Sequence, residues 1–506
     1  MKKKKEKKPL NMKRQWAKFI IVLVLYLLFL YWVKSWLGLL IVPFIYDAYI
    51  SKKINWQWWK ESEGPVRFIM SWVDAIVFAL VAVYFINQFF FQNYVIPSSS
   101  LEKSLLTGDY LFVSKLSYGP RIPQTPLTVP LTQHTLPVGG LKSYIEWPHW
   151  DYRRVKGLGT VQLNDIVVFN YPAGDTICTE IPYQTYYYDL CYDLGYQAYD
   201  QAYGLPADLE LLLDSVPTYN RLVFFSQIYA SGKNAIQDNW ARFGDIDTRP
   251  TDRRENYVKR CVGLPGQTLQ IKNRTIYLDG KVNKEPELVQ YSHTVVFKEG
   301  GVLTNDLMKE LGITCEDLGY PVGSQSDDIR FNRRTVVDRM PLTKQAKAAL
   351  EQRKDLVESV ALNTTPDPDD WRKVYPQNGN MHWTRDNYGP IWIPKKGATI
   401  DLTLENLPIY ERCIRAYEGN TLDIKSDGQI IINGKPATKY TFKMDYYWMM
   451  GDNRHNSADS RYWGFVPEDH IVGKPIFIWW SSDPDRGIFS GGIRWSRLFR
   501  FVDNIK

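Results

Sequence analysis

Three apolar runs close to the N-terminus constrain the fold of this chain more than any other feature. The runs cover residues 19–33, 35–50 and 68–86. The first contains no charged residue, and each of the other two contains a single aspartate. The third is close to the ~20 residues that an α-helix needs to cross the hydrocarbon core of a bilayer. The N-terminal part of the chain is therefore predicted to hold transmembrane helices.

Residues 68–91 are predicted to form a transmembrane helix, and residues 19–50 to form either a transmembrane hairpin or one to two membrane segments. A cleavable signal peptide over residues 1–33 is an alternative, because a lysine-rich tail precedes a short apolar core. The sequence that follows, residues 33–36, is not a small-residue cleavage site. This favours an uncleaved anchor.

Basic residues concentrate in the same N-terminal region. Residues 1–91 carry 14 Lys/Arg against 5 Asp/Glu, whereas the whole chain carries 62 against 55. Because the remainder of the chain has no basic excess, a nucleic-acid partner is not indicated. The basic tail over residues 1–18 and the basic loop over residues 51–67 are predicted to be cytoplasmic.

This orientation places the chain beyond residue 92 outside the cytoplasm. An even number of crossings must separate the tail from the loop, so the first two runs would form a hairpin. In a two-span alternative the tail lies outside, but the large domain stays on the same side of the membrane.

Beyond residue 92 the alternation of apolar and polar residues is typical of strands. The clearest predicted strands are residues 110–115, 165–169, 257–262, 275–278, 429–432 and 476–480. Turn sequences such as Asp-Gly and Asn-Gly separate several of them. We therefore predict a mainly β exterior domain of antiparallel sheets, anchored by N-terminal transmembrane helices.

Two stretches break the strand pattern and are predicted to be large insertions. Residues 173–250 are rich in Tyr and Asp without a clear period. Residues 286–395 contain the clearest helical pattern, 343–361, and a Pro/Asp-rich break at 365–370. The other segments beyond the membrane are residues 92–172, 251–285 and 396–482, which are predicted to form the core, and a C-terminal tail over residues 483–506.

The five cysteines form no C-x-x-C pair, and the chain contains no HExxH sequence. A zinc site is therefore not indicated, and no metal or organic cofactor is predicted. Cys178 and Cys191 could form a disulfide on the outer face of a membrane, although connectivity does not follow from spacing.

A serine cluster at residues 98–100 lies just beyond the last apolar run. Such a cluster is commonly a linker or a helix cap, but a nucleophile so close to a membrane could meet only substrates held in that membrane. A nucleophilic serine needs a base to accept its proton. The six histidines have no G-x-S-x-G elbow to pair with, so a histidine triad stays open but unsupported.

Lys259 is the alternative base. Its free pKa of ~10.4 keeps it protonated, but burial in an apolar pocket can lower that pKa by several units. In the strand predicted over residues 257–262, Tyr257, Lys259 and Cys261 share one face. The other interpretation of Lys259 is an edge-strand lysine that points into water.

Four separate stretches resemble the motif boxes of bacterial type I signal peptidases, in the order in which that family carries them. They are residues 97–101 (PSSSL), 108–119 (GDYLFVSKLSYG), 257–266 (YVKRCVGLPG) and 451–461 (GDNRHNSADSR). The first box is short, but the last two are long and specific. The boxes span the predicted core of the exterior domain.

The resemblance implies a role for each matching residue. Ser100 matches the nucleophile and Lys259 the general base. Ser98 matches the serine whose hydroxyl forms the oxyanion hole together with the Ser100 N–H, and Ser457 matches the serine that orients the lysine. Asp459 and Arg461 match a structural ion pair; the other interpretation is an ordinary surface salt bridge.

This chain departs from the family pattern at a few positions. Leu101 stands in place of the usual Met, Lys103 in place of a frequent Pro, and Ser104 in place of Thr. His455 replaces a usual Asp, which puts the role of that carboxylate in doubt. None of these changes removes a catalytic group.

Two other classes of protein compete with this interpretation. Ser100 and Lys103 also form an S-x-x-K pattern, the motif of β-lactamases and penicillin-binding proteins, but the accompanying S-D-N and K-T-G motifs are absent. A membrane-tethered β-domain that binds partners through aromatic residues would explain the composition but not the four ordered boxes.

The resemblance implies a multi-pass serine endopeptidase of the plasma (inner) membrane, with its catalytic domain on the outer, periplasmic face. Its partners would be exported preproteins with signal peptides and the lipid bilayer. A preprotein would present its cleavage region as an added strand. Small residues are expected at the first and third positions before the cut.

Overall fold

A computed structural model describes residues 11–181, 186–320, 328–363, 370–483 and 492–505. Its helices are α1 Met12–Val33, α2 Val42–Tyr46, α3 Pro65–Phe89, α4 Tyr187–Tyr203, α5 Leu209–Asp214, α6 Thr218–Asp238, α7 Trp240–Phe243, α8 Asn305–Leu311, α9 Lys344–Gln352, α10 Asp370–Lys373, α11 Leu407–Arg412 and α12 Ser460–Trp463. The basic tail before residue 11 and most of the Pro/Asp-rich break lie outside the described residues, as does part of the predicted C-terminal tail.

The strands are short, as expected where turn sequences are frequent. They are β1 Phe91–Val95, β2 Asp109–Ser114, β3 Ile166–Asn170, β4 Thr176–Cys178, β5 Ile246–Thr248, β6 Asn256–Gly263, β7 Thr268–Lys272, β8 Thr275–Leu278, β9 Lys281–Val282, β10 Gln290–Phe297, β11 Val302–Leu303, β12 Ile329–Arg330, β13 Thr335–Thr343, β14 Val357–Leu362, β15 Tyr388–Trp392, β16 Thr399–Asp401, β17 Leu422–Ile424, β18 Ile430–Ile432, β19 Lys435–Pro436, β20 Lys439–Thr441, β21 Tyr446–Met450, β22 Val466–Pro467, β23 Ile471–Ser481 and β24 Arg500–Phe501. The strands predicted from alternation are confirmed as β2, β3, β6, β8, β18 and part of β23.

Helices α1 and α3 are long and apolar enough to span a membrane. Asn11 caps the start of α1 by accepting a hydrogen bond from Arg14 N, and Lys34 ends the helix in a left-handed conformation. Pro65 occupies the first turn of α3, where its missing N–H costs no hydrogen bond. Side chains along both helices are largely exposed, as expected of surfaces that face lipid.

The second apolar run consists of short helical turns rather than one long helix. It contains a 3-10 turn, Leu37–Ile41, then α2 and one π-turn, Asp47–Ser51. The run folds back along α1: Tyr26 Oη donates to Gly38 O at 2.8 Å, and the rings of Phe19 and Tyr46 lie 5.6 Å apart. The first two runs therefore form a hairpin, which returns the chain to the level where α1 begins.

A large antiparallel sheet forms the centre of the domain that follows α3, which the sequence analysis predicted to be the exterior domain. Its strand order is β1-β2-β23-β3-β6-β21-β22, and β24 pairs with the outer part of β23. All residues of β3 are buried, because elements cover the sheet on both faces at this point. β6 lies between β3 and β21, which places Lys259 opposite Val167. The predicted mainly β, antiparallel fold is confirmed for this domain.

Smaller sheets flank the central one. The sheet β15-β7-β8-β9, the pair β16-β20 and the sheet β17-β18-β19 surround one apolar cluster. Trp448, Tyr388 and Tyr446 are its largest almost completely buried members. The cluster packs against the face of β21 that carries Tyr446, Trp448 and Met450.

The first predicted insertion contains helices, which the sequence analysis did not predict there. Helices α4 and α6 pack against each other at very close range. A Cβ at Gly195 would lie 2.0 Å from Ile228 O, and one at Gly232 would lie 1.7 Å from Cys191 O, so glycine allows the approach. Cys178 and Cys191 are free thiols in one buried cluster. The disulfide considered above is not formed in this structure.

The second predicted insertion contains its own small domain. The sheet β13-β10-β14 packs against α8 and α9 around a separate apolar cluster. The helix predicted over residues 343–361 was only half right, since α9 ends at Gln352 and residues 357–362 form β14. Leu350 and Val357 are both buried, but the second is buried as a strand residue that pairs with β10. β-Branched residues favour that conformation.

The C-terminal residues 492–505 pack on the central sheet, although a tail was predicted there. Val502 and Ile505 are buried in the cluster that includes Leu101. The Arg497 guanidinium binds the fully buried Asp109 carboxylate, with Nη2 at 2.6 Å from Oδ2. Asp109 belongs to the second motif box, so the end of the chain stabilises the core near its beginning.

We predict that Arg497→Met lowers the free energy of unfolding by about 3–5 kcal/mol, because it leaves a buried carboxylate without its cation. Urea unfolding of the full chain in detergent measures this loss. The exposed Arg500 on β24 provides the matched control. Arg500→Met should change the free energy of unfolding by less than about 0.5 kcal/mol. Equal effects of the two substitutions would contradict a special role for the Asp109 pair.

Candidate active site

Ser100 lies in a single 3-10 turn, Ser99–Leu101, shortly after β1 ends. Leu101 is completely buried among apolar residues of the central sheet, which fixes the turn in place. The Ser100 carbonyl accepts a hydrogen bond from Asn453 N at 3.1 Å. The turn is therefore held on one side by the core and on the other by the last motif box.

Lys259 reaches Ser100 from the middle of β6. Its Nζ donates to Ser100 Oγ at 2.8 Å and to Val258 O at 3.1 Å. Lys259 is 4% exposed and Ser100 8% exposed. The interpretation of Lys259 as a solvent-facing edge lysine is therefore wrong, because β6 has a neighbour on each side. The two residues, 159 positions apart in the chain, form a buried pair.

Burial determines the charge of this lysine. Removal from water lowers the pKa of Lys259 to about 8, although the carboxylates of Asp459 and Asp452 act in the opposite direction. Each of those carboxylates is itself paired with an arginine, so much of its charge is compensated locally. A substantial fraction of the amine is therefore neutral at mildly alkaline pH, as a base must be.

A cleft of about 390 Å³ opens beside the pair. Ser98, Ser100 and Lys259 all contribute to its lining, along with the end of β1 and the start of β6. Ser98 has an extended backbone and is exposed to the cleft. The structure thus places the predicted oxyanion serine and the predicted nucleophile on the same wall.

Ser457 lies against the back of the nucleophile turn. Its hydroxyl is buried and has no hydrogen-bond partner among the described residues. A Cβ at Gly451 would lie 2.3 Å from Ser457 Oγ and 2.6 Å from Ser100 O, so only glycine fits between the two serines. The orientation of Lys259 by Ser457 stays a prediction, since the Lys259 amine donates to Ser100 and Val258 here.

Asp459 and Arg461 form a fully buried ion pair rather than a surface salt bridge. Arg461 Nη2 and Nε each lie 2.8 Å from an Asp459 oxygen, and the side chains are 1% and 0% exposed. Asp459 also accepts from Gly451 N at 3.1 Å. The pair therefore fixes the glycine that separates Ser457 from Ser100.

Sequence reasoning missed a second buried ion pair next to the base. Arg260 binds both oxygens of Asp452, at 2.7 and 2.6 Å, and Ser104 Oγ donates to the same carboxylate. Arg260 follows Lys259 directly, so it points to the opposite face of β6. The sequence signal that could have indicated this ion pair was the presence of Arg260 in the third motif box and of Asp452 in the fourth.

The start of the second predicted insertion completes this support. Gln290 N donates to Asp452 O at 2.9 Å, and Arg454 N donates to Gln290 O at 3.0 Å. Residues of β10 therefore act as a neighbour of the last motif box. Its small domain is joined to the site by main-chain hydrogen bonds rather than by a flexible linker.

Neither of the rival catalytic arrangements is assembled here. Among the residues that the structure describes, no histidine hydrogen-bonds to Ser100 or Lys259. The Lys103 amine of the S-x-x-K pattern donates to Gly312 O, away from Ser100. In the described part of the chain, no group of three or more His, Cys, Asp or Glu side chains is placed to hold a metal ion.

Comparison with known proteins agrees with the four motif boxes. The profile of the family described as signal peptidase, peptidase S26, matches residues 69–310 and 438–480, which is more than half of the chain. The chain belongs to this family. The resemblance to type I signal peptidases that the motifs indicated is thus confirmed.

Individual relatives match over shorter segments. Signal peptidase I from Buchnera aphidicola of Schizaphis graminum is 46% identical over 128 residues, 25% of this chain and 38% of that protein. The enzyme from the strain of Acyrthosiphon pisum is 60% identical over 52 residues, 10% and 17% of the two chains. Signal peptidase I of Haemophilus influenzae is 49% identical over 69 residues, 14% and 20%. The matched part of this chain spans less than two-fifths of the length of these relatives.

His455, which replaces an aspartate usual in signal peptidases, has a carboxylate partner in this chain. Its Nε2 lies 2.9 Å from Asp386 Oδ1, and its Nδ1 accepts from Ser292 N at 3.3 Å. The imidazole is 1% exposed. Both partners come from the second predicted insertion, so contacts from that insertion hold the imidazole of the last motif box in place.

Proposed function

We propose that this chain is a membrane-bound serine endopeptidase that cleaves N-terminal signal peptides from exported preproteins with a Ser100/Lys259 dyad. The observation that carries the proposal is the 2.8 Å hydrogen bond from the buried Lys259 amine to the Ser100 hydroxyl. A lysine whose pKa is lowered by burial is a competent base for a serine. Membership of the signal peptidase family supports the choice of substrate.

The reaction uses the same contact with donor and acceptor exchanged, since the Ser100 hydroxyl must donate to the Lys259 amine. When Lys259 is neutral, its lone pair accepts the Ser100 proton as Oγ attacks the carbonyl carbon before the scissile bond. The carbonyl oxygen becomes negative, and the Ser100 N–H and the Ser98 hydroxyl stabilise it. The protonated Lys259 then gives its proton to the leaving amine.

Water completes the cycle. It attacks the carbonyl carbon of the ester that joins the substrate to Ser100 while Lys259 removes a proton from the water. The bond from that carbon to Ser100 Oγ then breaks, and the protonated Lys259 returns the proton to Oγ. Asp459 and Arg461 support the site by fixing Gly451, and the match to the family assigns Ser457 the role of orienting the amine. The substrate lies extended in the cleft beside β1, with small side chains next to the cut.

Several features support anchorage in a bilayer. Both α1 and α3 have exposed apolar surfaces, and the hairpin returns the chain to the starting side before α3. The loop that follows β2 lies near the end of α3, and it also carries exposed apolar side chains. They are Leu127, Val129, Leu131, Val138, Leu141, Ile145 and Trp147. We assign the chain to the plasma (inner) membrane, with three membrane segments and the catalytic domain on the periplasmic face.

We predict that Ser100→Ala and Lys259→Ala each reduce cleavage of a preprotein by about 10⁴-fold or more, because each removes half of the dyad. Gel or mass-spectrometric assay of one purified preprotein measures the rate. Single substitutions of the six histidines should leave the rate within about tenfold of the starting protein. A histidine variant as inactive as Ser100→Ala would refute the dyad.

Lys272 provides a matched control for the base. It is an exposed lysine in the neighbouring strand β7, so Lys272→Ala removes the same atoms without changing the cleft. Urea unfolding of each variant separates a loss of chemistry from a loss of fold. Lys272→Ala is expected to cleave normally and to unfold as the starting protein does.

The pH dependence of cleavage tests the state of the base. We predict that kcat/KM rises about tenfold per pH unit below the Lys259 pKa and levels off above it. The midpoint should lie at about 8, the value to which burial lowers that pKa. Lys259→Arg cannot become neutral in this range and should be inactive at every pH. A profile without an acid limb, or activity in Lys259→Arg, would show that the residue supplies only charge.

Thiol labelling tests the membrane arrangement. We predict that Lys13→Cys and Glu63→Cys are protected from an impermeant reagent in intact cells, whereas Lys435→Cys is labelled. The reporters would be introduced after replacement of the partly exposed Cys315. Labelling of Lys13→Cys would overturn the hairpin and leave two spans, and labelling of Glu63→Cys would overturn the predicted cytoplasmic loop.

A further inference from the structure

A large cavity of about 630 Å³ lies where α3 meets the exterior domain. Its walls come from the last turns of α3, from β1, from the end of β2 and from the loop that follows. Tyr84 Oη donates to Pro126 O at 3.2 Å, and Gln88 Nε2 donates to Arg121 O at 2.8 Å. These hydrogen bonds join the helix to the domain. The cavity adjoins the cleft beside Ser100, with which it shares Tyr94 and Asn256, but neither Ser100 nor Lys259 lines it.

Three cationic side chains line this cavity: Lys115, Arg121 and Arg253. The arginines are already engaged. Arg121 donates to Asp469 O and Asn170 Oδ1, each at 2.6 Å, and Arg253 donates to Thr125 Oγ1 and Thr125 O. The Lys115 amine has no hydrogen-bond partner among the described residues. A charged amine in such a place favours an acceptor from outside the chain, because no described side chain compensates for its partial removal from water.

No carboxylate among the lining residues accepts a hydrogen bond from the Lys115 amine. Asp252 contributes the one carboxylate among the lining residues. Its Oδ2 accepts from Gln124 N, Thr125 N and Thr125 Oγ1, while its Oδ1 is buried without a partner. Asp252 Oδ2 also lies 3.7 Å from Arg253. With one carboxylate against three cations, the cavity has an excess of positive charge and suits an anion.

The position of the cavity indicates where the anion comes from. Asn87 and Gln88 line it, and they are the first amides after the apolar stretch of α3. A bilayer places its phosphates at this boundary between hydrocarbon and water. The exposed side chains of Leu127, Val129 and Leu131 flank the opening. They provide an apolar surface for acyl chains beside the charged interior.

We propose that this cavity binds the phosphate group of an anionic lipid headgroup, with Lys115 as the charged donor. The inference rests on the membrane anchorage proposed above but not on the peptidase chemistry. An arrangement of this kind would hold the exterior domain at a fixed height and tilt on the membrane surface. The site does not include the dyad, although Tyr94 and Asn256 line both this cavity and the substrate cleft.

The state of Lys115 provides a signature of binding. Burial, with contributions from Arg121 and Arg253, lowers the pKa of Lys115 to about 7. A bound phosphate would favour the charged amine and raise this pKa. Binding near neutral pH should therefore take up protons, which calorimetry detects as a dependence of the heat on the ionisation enthalpy of the buffer.

The test uses the full chain in an uncharged detergent. Titration calorimetry would compare short-chain phosphatidylglycerol, short-chain phosphatidylcholine and inorganic phosphate. Phosphatidylglycerol should bind most tightly and with proton uptake. Lys115→Gln should weaken this binding by about tenfold or more, since it removes a charge-assisted hydrogen bond. Lys156→Gln is the matched control, because Lys156 is an exposed lysine whose carbonyl accepts from Trp32 beside the membrane helices.

The other outcomes distinguish a lipid phosphate from free phosphate. Equal binding of inorganic phosphate and phosphatidylglycerol would overturn the lipid and leave a site for free phosphate. Equal binding by Lys115→Gln and the starting protein would overturn the site. Thermal unfolding provides a second readout, since a ligand that binds only the folded state raises its Tm. Phosphatidylglycerol should raise the Tm of the starting protein and of Ser100→Ala but not of Lys115→Gln. Retention in Ser100→Ala separates this test from the peptidase proposal.

Discussion

The buried hydrogen bond between Lys259 and Ser100 depends on the exclusion of water from both groups. An exposed lysine would be almost entirely charged near neutral pH and could not accept a proton. Here the central position of β6, between β3 and β21, surrounds the amine with packed strands and lowers its pKa to about 8. The burial that costs stability when the amine is charged also lowers its pKa, so that the amine can be neutral and accept a proton. The packing that stabilises the large sheet is therefore the same packing that sets the pKa of Lys259.

Two buried ion pairs lie near this amine, but they do not cancel the lowering of its pKa by burial. The carboxylates of Asp452 and Asp459 favour a charged lysine, but Arg260 and Arg461 each hold one of them in a bidentate contact. Paired in this way, the carboxylates organise the loops more than they attract the lysine. Asp459 fixes Gly451, and Asp452 links the last motif box to Ser104 behind the nucleophile. The Arg260–Asp452 pair thus joins the third motif box to the fourth.

The second predicted insertion and the C-terminal residues also contact the motif boxes. β10 bonds to the last motif box through Gln290, and Asp386 from the same insertion pairs with His455. The C-terminal residues return to the core, where Arg497 meets Asp109. Asp386 and Arg497 lie outside the motif boxes, and they pair with His455 and Asp109 inside them. The cavity around Lys115 differs, because its excess of positive charge is left for a partner outside the chain.

The sequence by itself determined the apolar N-terminal segments and the mainly antiparallel β domain, and it singled out Ser100 and Lys259 as candidate catalytic residues. Alternation along residues 257–262 was enough to place Lys259 on one face, because side-chain direction in a strand follows from neighbouring residues alone. Only the tertiary structure decided that this face is buried, that Arg260 meets Asp452, and that residues 357–362 form a strand rather than continuing a helix. These outcomes depend on contacts between residues far apart, such as Ser104 and Asp452, which are 348 positions apart. Local periodicity extends over a few residues, whereas burial and charge pairing are properties of the assembled core.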